Sequence, residues 1–230
     1  GRLDDYGIKD FGGPRVGRDL VQIRKRNDFH GNGADLMTGI AIGMSAGGFP
    51  PVTNIYDSGS GTETIPNGAS QLIAEIWGAG NIGGAGDAGI PAVGGGAGSG
   101  GYSKKTFTLT SSDWGKTFSY FVGAASGGNT TLTNGTYGTA VSMTAYGGGI
   151  GQDAASGGNQ GSGGLASGGD VNTAGNGSGG VTRVGAGAPN GGGNVTVGVG
   201  STPGGGGAGG SLAGGPGSAG ANGRAKFAYT

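Results

Sequence analysis

The sequence predicts an all-β protein: a small β-sandwich-like scaffold with long glycine-rich loops packed as polyglycine II helices, preceded by an extended N-terminal segment. Three observations carry this reading. The first is where the glycines sit: fourteen fall in residues 1–77, and the other 51 of the 65 lie between Gly78 and Gly223. Glycine loses the most backbone entropy on ordering and brings no side chain to a core, so ordinary helices and sheets do not tolerate this density. The second is a local period of three. Gly80, Gly83, Gly86, Gly89, Ala92, Gly95, Gly98 and Gly101 form one row of small residues, and Ser211, Gly214, Gly217, Gly220 and Gly223 form another. A left-handed extended helix has three residues per turn, so each row lines one edge of such a helix. Side-chain-free edges let neighbouring helices approach and pair N–H with C=O, as buried backbone requires. Collagen is excluded, because glycine does not recur strictly at every third position and the chain has only eight prolines.

The third observation is a set of strand-like segments between the tracts. Gln71–Trp77 alternates Leu72, Ala74 and Ile76 against Ile73, Glu75 and Trp77. Tyr102–Thr110 is rich in Thr and aromatic residues, and Lys116–Val122 places Phe118, Tyr120 and Val122 on one face. Thr139–Tyr146 carries Val141 and Met143 in the same way, Val195, Val197 and Val199 alternate, and Arg224–Tyr229 ends the chain with Phe227 and Tyr229 aligned. Period-two runs of β-branched and aromatic residues read as strands, which a flexible linker does not carry. The glycine tracts 78–101, 147–193 and 200–223 are then excursions from a β-scaffold, and loops of that length are commonly functional.

Net charge is zero, but seven of thirteen basic and eight of thirteen acidic residues lie in residues 1–63. From Thr117 to Gly223 only Asp153, Asp170 and Arg183 are charged. The Gly/Ser stretch Asp57–Thr62 suits a linker, dividing an attachment segment, 1–62, from an independent domain, 63–230. A segment with so few large apolar residues orders against a partner rather than alone.

Several functions are excluded or disfavoured. With no cysteine and one histidine, His30, disulfide frameworks, thiolate metal sites and multi-histidine zinc sites are out of reach, and no cofactor is expected. No basic segment followed by an apolar one marks a signal peptide, no run of eighteen apolar residues could span a bilayer, and no membrane insertion is expected. Gly78–Gly83 fits G-x-G-x-x-G, yet more glycine and Ile90-Pro91 follow where a nucleotide site needs a helix. Gly43–Gly47 fits G-x-S-x-G around Ser45, but His30 precedes the serine and the strand-turn-helix setting is missing. The one compact basic cluster, Arg24-Lys-Arg26, is flanked by Asp19 and Asp28, so no nucleic-acid partner is expected. The chain is not expected to be an enzyme.

One resemblance is specific in its order. Ile65–Gly80 with its Trp-Gly-Ala-Gly ending, Gly100–Phe107 with Gly-Tyr-Ser, Phe121–Gly128, Thr144–Gly149 and Gly220–Tyr229 together resemble the glycine-rich domain of bacteriophage tail proteins over about residues 63–230. This pattern is similar to the tail-fibre adhesins of some T-even-like phages, in which packed polyglycine helices carry loops that grip a bacterial receptor. The resemblance implies a virion protein of the tail fibre or tail tip that binds a host surface protein or glycan. The non-glycine residues of the tracts are then the contact set: Asn81, Ile82, Ile90, Pro91, Val93, Gln152, Asn159, Gln160, Leu165, Arg183, Asn190 and Leu212. Residues 1–62 would attach to other tail proteins or to copies of the chain, a homotrimer being the common symmetry of fibres. Two alternatives stand beside it. A purely structural virion protein would use the same fold. An ice-binding protein would need a flat, regular face of small or Thr groups, and the threonines here cluster in strands instead.

Overall fold

A computed structural model describes residues 49–90, 92–178 and 183–230. Among these residues ten strands form: β1 (Val52–Tyr56), β2 (Gly59–Thr64), β3 (Gln71–Trp77), β4 (Tyr102–Thr108), β5 (Thr117–Val122), β6 (Thr130–Thr133), β7 (Ser142–Ala145), β8 (Ala166–Ser167), β9 (Val171–Thr173) and β10 (Arg224–Tyr229). They make two antiparallel five-stranded sheets, ordered β1-β10-β3-β4-β9 and β2-β5-β6-β7-β8. The protein is all-β, with the core of a small sandwich between the two sheets.

Alternation builds that core. On β3, Leu72, Ala74 and Ile76 point inward and are fully buried, while Ile73 and Glu75 face out. Phe227 and Tyr229 of β10 join them from one sheet, and Phe118, Leu132 and Met143 from the other. Each large side chain so buried contributes on the order of 2–3 kcal/mol. Phe107 and Phe118 pack at 5.1 Å between ring centroids, with Tyr137 against both. At one edge of the sandwich the buried Glu63 of β2 accepts hydrogen bonds from Asn54 (2.8 Å) and Tyr56 (2.7 Å) of β1. The Glu63 bond first, and burial second, push the Tyr56 hydroxyl up to about 12.

The outer face of the first sheet carries an ionic row in which Glu75 accepts from Lys226 Nζ (2.8 Å) and Tyr102 Oη (2.7 Å). Burial pushes the Glu75 carboxyl up, but the bonds from Lys226 and Tyr102 and the charges of Lys226 and Lys104 outweigh it and hold it below its ordinary 4.5. Its folded value is depressed, so its contribution is present above pH 4.5 and fades as pH falls through the folded value. Glu75→Gln is therefore expected to flatten the acid side of the stability profile while costing about 1 kcal/mol or less at neutral pH. Melting temperatures of both proteins between pH 3 and 7 check this.

The glycine tracts fold as predicted into extended segments joined by hydrogen bonds at every third residue. Gly80, Gly83 and Gly86 donate to Ala221, Ser218 and Gly215, so 78–86 and 215–221 run antiparallel. Gly94, Ala97 and Gly100 donate to Gly210, Gly207 and Gly204, and Gly95, Gly98 and Gly101 donate to Gln152, Gly149 and Tyr146. The segment 94–101 is the centre of this lattice. Besides its partners in 204–210 and 146–152, it accepts from Asn81, from Gly161 and from Ala186, and Ser99 donates to Asn176, which gives six neighbouring segments. Every residue from Gly94 to Gly101 is buried.

Glycine is needed here for the absence of a side chain rather than for unusual dihedrals. None of the glycines in 78–86, 94–101, 205–210 or 215–221 takes a left-handed φ. A Cβ on Gly94, Gly95, Gly96, Gly98, Gly100 or Gly101 would collide with a backbone carbonyl of the adjoining segment. Ala97 and Ser99 are the tolerated exceptions, and Ser99 Oγ accepts from the Asn176 backbone at 2.9 Å.

Four expectations are corrected. The stretch 57–62 is not a linker: β1 pairs along its length with β10 and β2 with β5, so residues from Phe49 onward belong to the folded unit and the division of the chain falls after Gly43. The expected attachment segment up to Gly48 lies outside the described residues. Val195–Val199 is not a strand; Val195 alone bridges Gly185, and Gly198 at φ +92° turns the chain so that Val197 stands 74% exposed. The row expected from Gly80 to Gly101 is two rows, because the chain reverses where Asp87 and Ala92 pair. Finally β1, β2, β6, β8 and β9 were not expected, being too short or too rich in Gly, Ser and Thr to display apolar alternation.

Candidate functional site

The direction of each segment defines the site. The segment 78–86 leaves β3 and 94–101 returns to β4; 146–152 leaves β7 and 159–165 returns to β8; 215–221 returns to β10 antiparallel to 78–86. The segment 204–210 runs parallel to 78–86, since Gly207 and Gly210 donate to Asn81 and Gly84. Three reversals therefore lie together at the end remote from the sheets: 87–92, 153–158 and 211–214. Contacts between them hold the cluster. Ala85 N donates to Asp153 Oδ1 (2.7 Å), Ala154 N donates to Ala85 O (2.8 Å), and a Cβ on Gly214 would come within 3.3 Å of Ala88 Cβ.

Each reversal has its own local chemistry. Asp87 and Ala92 exchange backbone bonds of 3.1 and 3.2 Å, and Asp87 Oδ1 accepts from Gly89 N at 2.7 Å, an Asx turn that presents Ile90. The second is a 3₁₀ turn over Ala154–Ser156 closed by Gly157 at φ +97°. Its neck is an amide pair, Asn159 Nδ2 donating to Gln152 Oε1 at 3.0 Å. The third closes through Gly214 N to Ser211 O at 3.1 Å and presents Leu212. Ile90 and Leu212 are 55% and 56% exposed, on turns that meet where Gly214 approaches Ala88.

The expected contact set divides accordingly. Ile90, Gln152, Asn159, Gln160 and Leu212 are exposed on or beside the reversals, with half-buried Val93 next to them. Arg183 lies at the same level, its Nε donating to Gly209 O at 3.3 Å. Asn81 is engaged within the lattice: its side-chain amide donates to Gly148 O (2.8 Å) and accepts from Ile82 N (2.8 Å), and both residues are half-buried. A carboxamide there bonds neighbouring backbone that glycine alone cannot reach. Leu165 and Asn190 sit at the sheet end, Leu165 O accepting from Tyr146 N and Asn190 turning at φ +50° beside Pro189, whose carbonyl accepts from Trp77 Nε1 at 2.9 Å. Pro91 lies outside the described residues. Ala88, Ser156, Ser211 and Ala213 belong to the exposed reversals but were missed, because small residues among glycines give no signal until the chain's reversals are placed.

Among the described residues, no three His, Cys, Asp or Glu side chains gather as a metal-binding group, and no helix is long and apolar enough to cross a membrane. The reversals offer aliphatic groups, carboxamides and backbone, an arrangement suited to recognition by contact. No model of a known protein family matches the chain, and no curated protein matches it.

Proposed function

We propose that the protein is a bacteriophage tail-fibre or tail-tip adhesin, which recognises a host surface protein or glycan through the clustered reversals 87–92, 153–158 and 211–214. The observation that carries this reading is the placement of exposed aliphatic and amide side chains on turns of a rigid, backbone-bonded lattice, at the end farthest from the sheets. Binding surfaces are typically built on loops held by a stiff frame, where change at the tips leaves the frame intact. The order of tract and strand motifs resembling tail-fibre adhesins supports the same assignment. Upstream residues attach the domain to other tail proteins or to further copies of the chain.

Adsorption competition tests the proposal. The folded full-length chain at saturating concentration is expected to block phage attachment to host cells, and absence of blocking overturns the reading. Leu212→Asp and Ile90→Asp are expected to weaken blocking about tenfold or more each, as loss of a central interface contact does, without lowering the melting temperature.

A further inference from the structure

The outer face of the second sheet has a chemistry unlike the rest of the sandwich. Inward positions of β2, β5, β6 and β7 hold Glu63, Phe118, Leu132 and Met143, so the alternate residues face out. The strand register aligns them in rows. One row crosses all five strands as Ser60, Phe121, Thr131, Thr144 and Ser167. The next runs Thr62, Ser119, Thr133 and Ser142. Neighbouring hydroxyls are then spaced about 4.8 Å across the strands and about 6.8 Å along them.

These rows contain no charged side chain, whereas the first sheet aligns Lys226, Glu75 and Lys104 on its outer face. Among the described residues the side chains of Thr62, Thr131, Ser142 and Thr144 form no hydrogen bond, and Thr133 Oγ1 reaches only Ser119 O at 3.5 Å. On the second strand of the array Phe121 is 51% exposed, and among the described residues it stacks on no other ring. A hydroxyl both donates and accepts, so the array can bond a partner that also carries hydroxyls at many positions.

We propose that this face binds an uncharged polysaccharide, with the Phe121 ring against the C–H face of a sugar and the flanking Ser and Thr hydroxyls bonded to sugar hydroxyls. Charge argues for this partner: the rows offer no cation to a phosphate or carboxylate and no anion to a basic surface. A protein partner would find Phe121 and, just past the ends of β7 and β8, the exposed Tyr146 and Leu165, three apolar side chains spread along hydroxyl rows, too little for the apolar core of an interface. Ice would need an uninterrupted plane of hydroxyls, and Phe121 stands out of it. The site is separate from the distal reversals, and the proposal does not rest on the adhesin reading.

Native electrophoresis of the full chain through gels containing dextran, mannan or laminarin, with alginate as an acidic control, tests it. At least one neutral polymer is expected to slow the protein relative to a reference protein, and alginate is not. Phe121→Ala is expected to remove most of the retardation at an unchanged melting temperature, and Leu212→Asp to leave it intact. Should Phe121→Ala not melt cooperatively, the double variant Thr131→Val/Thr144→Val on the same rows gives the reading. The proposal is overturned if no neutral polymer slows the protein, if the face variants migrate like the wild type, or if alginate retards it equally. Thermal hysteresis of a dilute solution without polymer retardation would assign the face to ice and also overturn it. Loss of adsorption blocking with retained retardation would sink the adhesin reading alone.

Discussion

Gly98→Val is expected to abolish cooperative folding of the glycine lattice. Gly98 is in the central segment, buried, donating to Gly149 O at 3.0 Å and accepting from Asn81 N at 3.3 Å. A Cβ there would meet the carbonyls of Ser162 and Gly161. Those atoms are backbone, Ser162 O accepting from Gly149 N and Gly161 O from Ser178 N, so no rotamer change relieves the clash. Overpacking of a tight core commonly costs about 1–3 kcal/mol with side chains free to adjust. With only backbone to displace, and six segments sharing the strain, the cost is expected to exceed about 4 kcal/mol, a large part of a domain's net stability. Thermal unfolding and near-ultraviolet circular dichroism read the result. Gly193→Ala is the matched control, since nothing lies within 4 Å of its added Cβ, and it is expected to melt like the wild type. A cooperative Gly98→Val protein of wild-type stability would show that segment not to be packed on all sides.

Removing residues 1–62 is expected to be nearly as damaging, while removing residues 1–43 is not. The shorter fragment, 63–230, lacks β1 and most of β2. It leaves β10 with an open edge along Ala225–Tyr229, uncovers the inward face around Phe227 and Tyr229, and strips Glu63 of its bonds from Asn54 and Tyr56. A bared edge invites strand addition between molecules. The fragment 63–230 is expected to aggregate or to lose its near-ultraviolet signal, and 44–230 to unfold in one sharp transition. Equal, cooperative melting of the two fragments would place the boundary where the composition alone put it.

The difference between those fragments marks how far the chain can be read unaided. β3 and β10 were legible because they cross the middle of a sheet, where one face must be apolar, and Leu72, Ala74, Ile76, Phe227 and Tyr229 display it. β2 was not, because an edge strand reading Gly-Ser-Gly-Thr-Glu-Thr buries only Glu63 deeply, held by side chains from β1 rather than by apolar contact. The same holds for the candidate site. Ile90 and Leu212 stood out as aliphatic residues in glycine tracts, but so did Leu165, which lies at the opposite end of the lattice. Side-chain type could not separate them, since the distinction is one of chain direction.

By itself the sequence determined that residues 78–223 could be buried only as side-chain-free extended segments with a three-residue repeat, between strands of alternating apolar character. Density of glycine and spacing of small residues are local properties, and they suffice for that. Only the tertiary structure decided which segment lies at the centre, which three reversals share the distal end, and that hydroxyls from five strands form one uncharged face. Glycine segments have almost no side chains with which to specify a neighbour. Their arrangement is set by the strands from which each departs and to which it returns, through hydrogen bonds between residues far apart in the chain.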